Sequence, residues 1–406
     1  MGFQIVRQGG WRVVVASRIF VPEVAAASFR LHAVARALTR RGARVRVLTS
    51  HPVGTALREE TDTGQVRRVW TLRDSTGYLR GYLPYASFDI PLFFRLLVTR
   101  ADVVLVEPPP TTGVVVRLVC AVKRVPYVYY AADLWSDAVA AAGMKSVVAR
   151  ILRHVEGFAL RGASAVIAVN RGVADRARDL GAACVHVVPN GIDTSVFTPS
   201  GGLQHATRDK TPCTGVDEDL DQVLARPFVV YAGTASEWQG AGIFYDAFDK
   251  IRDQVDVDLV WIGQGADMEH IAQRAQHDSR VHVLGVVDAP QAATIQALAQ
   301  VALVSIVPGR GYDFAYPTKV LAALACGTPV LFAGKGPAAS DIEQHHLGRV
   351  SDYETRHIAE VLTDMLTQDW QAQRLRQWVS EHRSMTATGQ KAAEVVLNAI
   401  GENRAQ

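Results

Sequence analysis

Two successive series of short, β-branched apolar runs, each alternating with stretches of helical period, constrain this 406-residue chain more than any other feature. Apolar runs of this kind are strands buried on both faces, and an intervening helix makes them parallel. The first series places strands at residues 11–16, 44–49, 101–107, 126–130, 165–170 and 185–188, with helices over about 26–41 and 171–180. The second places strands at 228–234, 258–263, 281–285 and 301–307, with helices at 242–252, 268–277 and 291–300. A Gly/Ser/Thr/Asp-rich stretch over 199–226 separates them. A chain of this length exceeds one ordinary core. The pattern therefore predicts an α/β protein of two doubly wound, Rossmann-like domains: 1–198, a linker over 199–226, a second domain over 227–370, and a C-terminal helix over 371–406, broken near Gly389 and crossing back to the first domain.

Within the second series, Tyr316-Pro317-Thr318-Lys319 precedes the run Val320-Leu321-Ala322-Ala323-Leu324-Ala325, which Gly327 ends before Pro329 opens an extended segment. Proline at a helix start, good helix formers and a terminal glycine predict a helix whose free amino end carries unpaired amides and the positive pole of the dipole. Lys319 adds a charge, so the end suits a phosphate or diphosphate. A surface helix that merely begins with Thr-Lys reads the same way.

Residues 17–28 should lie at the carboxyl edge of the first sheet, where open α/β sheets bind ligands. They offer Ala25-Ala26-Ala27 and no G-x-G-x-x-G, so a dinucleotide cofactor is not indicated. Asp133-Leu134-Trp135-Ser136-Asp137 follows another strand directly, a place suited to chemistry and equally to an aspartate helix cap. Residues 53–100 are less regular. Their aromatics, interleaved with Arg73, Arg80, Arg95 and Arg100, fit a helix packed on the sheet edge or a surface touching lipid headgroups, the packed helix being the commoner origin.

Charge divides the chain. The first 200 residues hold 26 Lys and Arg against 14 Asp and Glu, net +12, and the remainder 17 against 26, net −9. A basic first half could approach an anionic membrane surface or acceptor. Nucleic acid is the weaker partner, because no recognition motif accompanies the arginines. Four widely spaced cysteines imply reduced thiols, with no metal site. The amino-terminal residues lack a signal-peptide core and no window is apolar enough to span a bilayer, so a cytoplasmic protein, able to sit at the inner face of the membrane, is expected.

The ordered set Phe20-Val21-Pro22-Glu23, Arg30-Leu31-His32, Asp133-Leu134-Trp135, Val188-Pro189-Asn190-Gly191-Ile192-Asp193, Tyr231-Ala232-Gly233, Ile262-Gly263-Gln264-Gly265 and Pro317-Thr318-Lys319 through Val330 resembles the retaining glycosyltransferases of family 4 along nearly the whole chain. Similarity is greatest to the branch that builds bacterial surface polysaccharides or decorates lipid-linked sugars. The resemblance implies the GT-B fold, two Rossmann-like domains facing across a cleft. It implies a nucleotide diphosphosugar as co-substrate, no cofactor, no metal, and transfer of a hexosyl-type sugar to a glycan, lipid-linked or small-molecule hydroxyl. It assigns the donor to Gly233, Thr234, Gly263, Gly265, Val286, Thr318 and Lys319, the chemistry to Asp133, Lys319 and Arg310, and the acceptor to Glu23, Arg30 and Trp135. Two departures stand out. The family glutamate that grips the ribose is replaced by Ala322, and the Arg/Lys pair after the Gly233 strand by residues 234–239. These departures also fit a non-catalytic nucleotide-sugar-binding or scaffold partner in a glycosylation pathway.

Overall fold

The computed structural model describes residues 10–23, 25–73, 79, 81–136, 146–199, 225–310 and 312–405. Most of the expected linker, together with Tyr78, Arg80, Asp137, Cys213 and Gly311, lies outside them. The chain forms two compact units, Met1–Asn190 with Met385–Gln406, and Gly191–Ser384.

The first unit runs β1 (Arg12–Ala16), α1 (Ala26–Arg40), β2 (Arg44–Ser50), β3 (Arg58–Thr61), β4 (Gly64–Val69), α2 (Tyr82–Val98), β5 (Val103–Val106), α3 (Pro110–Lys123), β6 (Tyr127–Ala131), α4 (Ser146–Arg161), β7 (Ala165–Ala168), α5 (Arg171–Asp179) and β8 (Val185–Val187). Its sheet is ordered β3-β4-β2-β1-β5-β6-β7-β8. Every pairing is parallel except β3 with β4. Strands β1, β5, β6 and β7 are almost wholly buried because helices cover both faces, which is why they read as continuous apolar runs. The β3–β4 hairpin escaped the sequence reading because its segment, Arg58-Glu59-Glu60-Thr61, is charged and exposed at the sheet edge.

The second unit runs β9 (Phe228–Ala232), α6 (Ile243–Ile251), β10 (Asp258–Ile262), α7 (Ala266–Ala275), β11 (Val281–Val283), α8 (Ala289–Leu298), β12 (Val301–Ser305), α9 (Thr318–Ala325), β13 (Val330–Ala333), α10 (Pro337–His345), β14 (Gly348–Ser351), α11 (Thr355–Leu366) and α12 (Ala372–His382). Its six strands are all parallel, in the order β11-β10-β9-β12-β13-β14. The first unit ends at Asn190, short of residue 198, because Ile192 and Phe197 pack against the second core and the Ile192 amide donates to the Arg383 carbonyl.

The expected break near Gly389 falls instead at Arg383-Ser384, and α13 (Met385–Ala405) then belongs to the first unit, packed along α1. Gly389 serves that packing. A Cβ at this position would lie 2.5 Å from the Ala33 carbonyl oxygen, so only glycine lets the two helix backbones approach this closely.

Candidate active site

In the second unit the strand order reverses between β9 and β12, and ligands of open α/β sheets sit outside the carboxyl ends of strands at such a point. The loop after β9 and the amino end of α9 meet there around a cavity of about 730 Å3, within the range of small-molecule sites. Gly233, Thr234, Gly263, Val286, Thr318, Lys319 and Ala322 line it, together with Trp238, Gln239 and Gln296, which the sequence reading did not single out. Gly265 and Arg310 are not in its wall. Arg310 is exposed in the loop that follows β12.

The glycines hold the loops of this cavity together. Gly233 donates its amide to the Ile262 carbonyl, Gly263 to that of Gly285, and Ala235 to that of Gln264, so these amides are committed to the protein rather than to a phosphate. Gly263 has φ +130°, and a Cβ there would lie 2.1 Å from the Gly233 carbonyl oxygen; at Gly265, with φ +138°, it would lie 2.3 Å from that of Ala235. Both glycines let the loops after β9 and β10 cross in contact. In the first turn of α9, which starts after Pro317 with no side-chain cap, the Val320 amide turns back to the Pro317 carbonyl and the amides of Thr318 and Lys319 are left for a ligand.

Lys319 is half-buried, and its Nζ donates to Tyr231 Oη and to the Thr234 carbonyl, each at 2.6 Å, while lying 4.1 Å from the Tyr231 ring centroid. Among the described residues it is the one charged side chain in the cavity wall. Burial, uncompensated by any carboxylate, pulls its ammonium down from 10.5 to about 7. An anion arriving at the helix end would restore the charge, so binding is coupled to proton uptake above pH 7. The affinity for a nucleotide diphosphosugar should fall by about tenfold per pH unit as pH rises from 7 towards the ammonium pKa in the complex. Titration calorimetry at pH 6 to 9 checks this, and the slope should vanish in Lys319→Met.

In the first unit the strand order reverses between β1 and β5, and the loops there carry Ser17 and Glu107. Arg30 on α1 is 5% exposed; its guanidinium pairs with Glu107, donates to Asn190 Oδ1 at 3.1 Å and lies 5.0 Å from the Tyr130 ring centroid. Ser17 Oγ is 3.3 Å from Glu107 Oε2. Arg30, expected to touch the acceptor, is thus spent on tying together α1, the end of β5 and the turn after β8. Glu23 is likewise engaged, accepting from Arg73 at 2.7 Å.

The Asp-Leu-Trp segment is held from below by Glu156, a buried carboxylate on α4 that no sequence motif marks. It accepts from the Trp135 and Ser136 amides at 2.9 and 3.1 Å and from Ser136 Oγ at 2.6 Å. Asp133 is left exposed beyond the end of β6. Trp135 is half-buried beside Tyr85, ring centroids 5.6 Å apart, with the Arg18 guanidinium 4.4 Å from the Tyr85 ring and 5.3 Å from that of Trp135. Asp133, Trp135, Tyr85 and Arg18 make a surface able to take a polar, ring-bearing group.

Residues 27–196 match the profile of Glycosyltransferase Family 4, and residues 226–368 match that of Glycosyl transferases group 1. The chain belongs to the family 4 glycosyltransferases. It is 26% identical over 197 residues to a D-inositol 3-phosphate glycosyltransferase of Xylanimonas cellulosilytica, a match covering 47% of this chain and 45% of that protein. The match therefore spans about half the length of that relative. Among solved structures, sucrose-phosphate synthase of Thermosynechococcus elongatus superposes with a TM-score of 0.64 at 15% identity, covering 98% of each chain. Anabaena HepE in complex with UDP and glucose superposes with a TM-score of 0.62 at 19% identity, covering 95% of this chain and 99% of the other. The two parallel-sheet units are those of the GT-B fold. Two features of the cavity differ from what the resemblance implied: Ala322 stands in its wall where a glutamate was expected, and Trp238, from the loop after β9, lines it where a cation pair was expected.

Proposed function

We propose that this family 4 member transfers a sugar, with retention of anomeric configuration, from a nucleotide diphosphosugar held in the second unit to a hydroxyl presented to the first. The observation that carries the reading is the junction of Lys319 with the uncapped amino end of α9 in a cavity sized for a nucleotide sugar. As the glycosidic bond breaks, charge grows on the leaving diphosphate. A preorganised ammonium and fixed amides lower that barrier without having to reorganise. The complex of Anabaena HepE with UDP and the matched family profiles support a donor of this class. Asp133, exposed two residues before Trp135, orients the acceptor hydroxyl.

Lys319 and the amides at the start of α9 supply positive charge of their own, so the transfer proposed is metal-independent. The test is turnover with a panel of UDP-, GDP- and ADP-sugars, with slow donor hydrolysis as the acceptor-free assay and NMR for the anomer formed. Activity is expected to persist in EDTA. Nucleotide binding without turnover or hydrolysis would favour the non-catalytic partner instead.

An acceptor carried on a lipid fits the outer surface of the first unit. Leu83, Ile90, Phe94 and Val98 form one exposed stripe on α2, Leu118 and Val122 are exposed on α3, and Val147 and Ile151 on α4 lie among exposed Arg150 and Arg153. Below the stripe, an apolar cavity of about 550 Å3 lies among Ile90, Phe93, Phe94 and Val115. No described helix is long and apolar enough to cross a bilayer, and the contact proposed is made by this face alone. The protein should sediment with vesicles containing anionic lipid at low salt. Ile90→Ser/Phe94→Ser should reduce the bound fraction at least fivefold while leaving donor hydrolysis intact.

A further inference from the structure

The parallel register of β2 and β4 sets Ser50 opposite Val69, so the residues that follow, His51 and Trp70, leave the carboxyl edge of the first sheet side by side. Their ring centroids are 4.2 Å apart, with the planes at 42°. His51 is buried, its Nε2 2.8 Å from the Thr55 carbonyl oxygen, whereas Trp70 is 68% exposed, the one exposed tryptophan among the described residues. A single apolar side chain in water is ordinary. This one is set apart by how firmly its surroundings are held. Buried Arg68 donates to the Val21 and Ala56 carbonyls at 3.2 and 2.8 Å and to Glu59 at 2.8 Å, joining the loops after β1 and β2. The Leu72 amide donates to Ser87 Oγ at 2.9 Å, which pins the segment after β4 to α2. A ring stacking on Trp70 therefore meets an aromatic surface that is already ordered.

The platform continues into the surface around Trp135. Half-buried Arg73 donates to Glu23 Oε1 and to Ser50 Oγ, each at 2.7 Å. Ser50 Oγ donates in turn to the Arg18 carbonyl at 2.6 Å, and the Arg18 guanidinium lies against Tyr85 and Trp135. Aromatic rings thus stand at both ends of a polar run. That alternation suits sugars, whose rings offer apolar C–H faces to aromatic side chains and hydroxyl edges to polar ones; a hydrocarbon chain would leave the polar run unmatched. Strands β4 and β6 stand four places apart in the sheet, roughly 19 Å at about 4.8 Å per place, so one sugar ring cannot touch both Trp70 and Trp135. We infer that Trp70 is a distal sugar-stacking subsite and that the acceptor is an oligosaccharide long enough to run from Trp135 past Arg18 and Arg73 to Trp70. This rests on the reading of the first unit as the acceptor side and adds to it the class and length of the acceptor.

The experiment is saturation-transfer NMR titration of wild type, Trp70→Ala and Trp70→Tyr with linear gluco-, manno- and galacto-oligosaccharides of increasing length, from the single sugar upwards. Hydrolysis of UDP-, GDP- and ADP-sugars by wild type is followed alongside. In wild type, affinity for the series that binds should rise about fivefold once the chain is long enough to reach Trp70, the size of one aromatic stack. Trp70→Ala should flatten that rise and Trp70→Tyr should keep most of it. The melting temperatures of both variants should stay level, because the side chain they alter lies mostly in water. Affinity independent of chain length, a rise that survives in Trp70→Ala, or no binding by any member of the three series would overturn the inference; donor hydrolysis that persists in that case leaves the proposed transfer standing. Length-dependent binding that needs Trp70, in a protein that neither hydrolyses nor transfers from any donor, would uphold the subsite and overturn the enzymatic reading instead.

Discussion

Lys319→Met should lower donor turnover at least tenfold, and by a hundredfold or more if Nζ meets the leaving phosphate oxygen directly, since removing one preorganised donor to developing charge costs roughly that much. The same variant should be no less stable than wild type near pH 6. The ammonium's value in the folded chain, about 7, lies below its ordinary 10.5, so between those pH values the unfolded chain holds the extra proton. Stability therefore rises with pH across that window, and below pH 7 the buried charge works against folding in full. Methionine removes the burden and keeps most of the side-chain volume that packs against Tyr231. Rate and melting temperature thus move in different directions, a separation expected of a site held for function rather than for folding. Turnover unchanged in Lys319→Met would show that the helix end is not where the diphosphate sits. A fall in melting temperature together with rate would mean that the lysine's bonds to Tyr231 and Thr234 are structural.

The two α/β units were legible because fully buried parallel strands must be continuous apolar runs, and strands β1, β5, β9 and β12 are just that. The helix start at Thr318 was legible from Pro317 and Gly327, two residues whose backbone limits act locally. What could not be read depends on partners far away in sequence. Glycines 233, 263 and 265 carry a donor role only through the resemblance, whereas the structure requires two of them where one loop crosses another, a contact that only the fold creates. Glu156 and Glu107 sit in ordinary helical and loop contexts, and their importance lies in being buried under segments 20 and 77 residues away. Arg30 shows the converse error. A motif position was read as a ligand contact, and the structure spends it on holding the loops in place.

That spending predicts the largest stability effect in the first unit. Glu107→Leu leaves the Arg30 guanidinium, itself 5% exposed, without its carboxylate, and removing one partner of a buried ion pair destabilises by about 3 to 5 kcal/mol because the remaining charge is uncompensated. Arg30→Met/Glu107→Leu should recover most of the loss, since a buried pair replaced by apolar side chains of similar volume is often close to neutral. Urea denaturation of the two variants checks both signs. If the pair serves only the first unit, nucleotide affinity measured well below the unfolding transition should stay within twofold of wild type in both. Activity on the acceptor should nevertheless suffer in the double variant even where stability has returned. The pair also sets the Asn190 turn, through Arg30 Nη1, and the end of β5, through Glu107 Oε1, and two methyl-bearing chains cannot reproduce those directions. A double variant that regains both stability and acceptor turnover would reduce the Arg30–Glu107 pair to a filler of the core. One that regains stability alone would make it the brace that positions the acceptor loops.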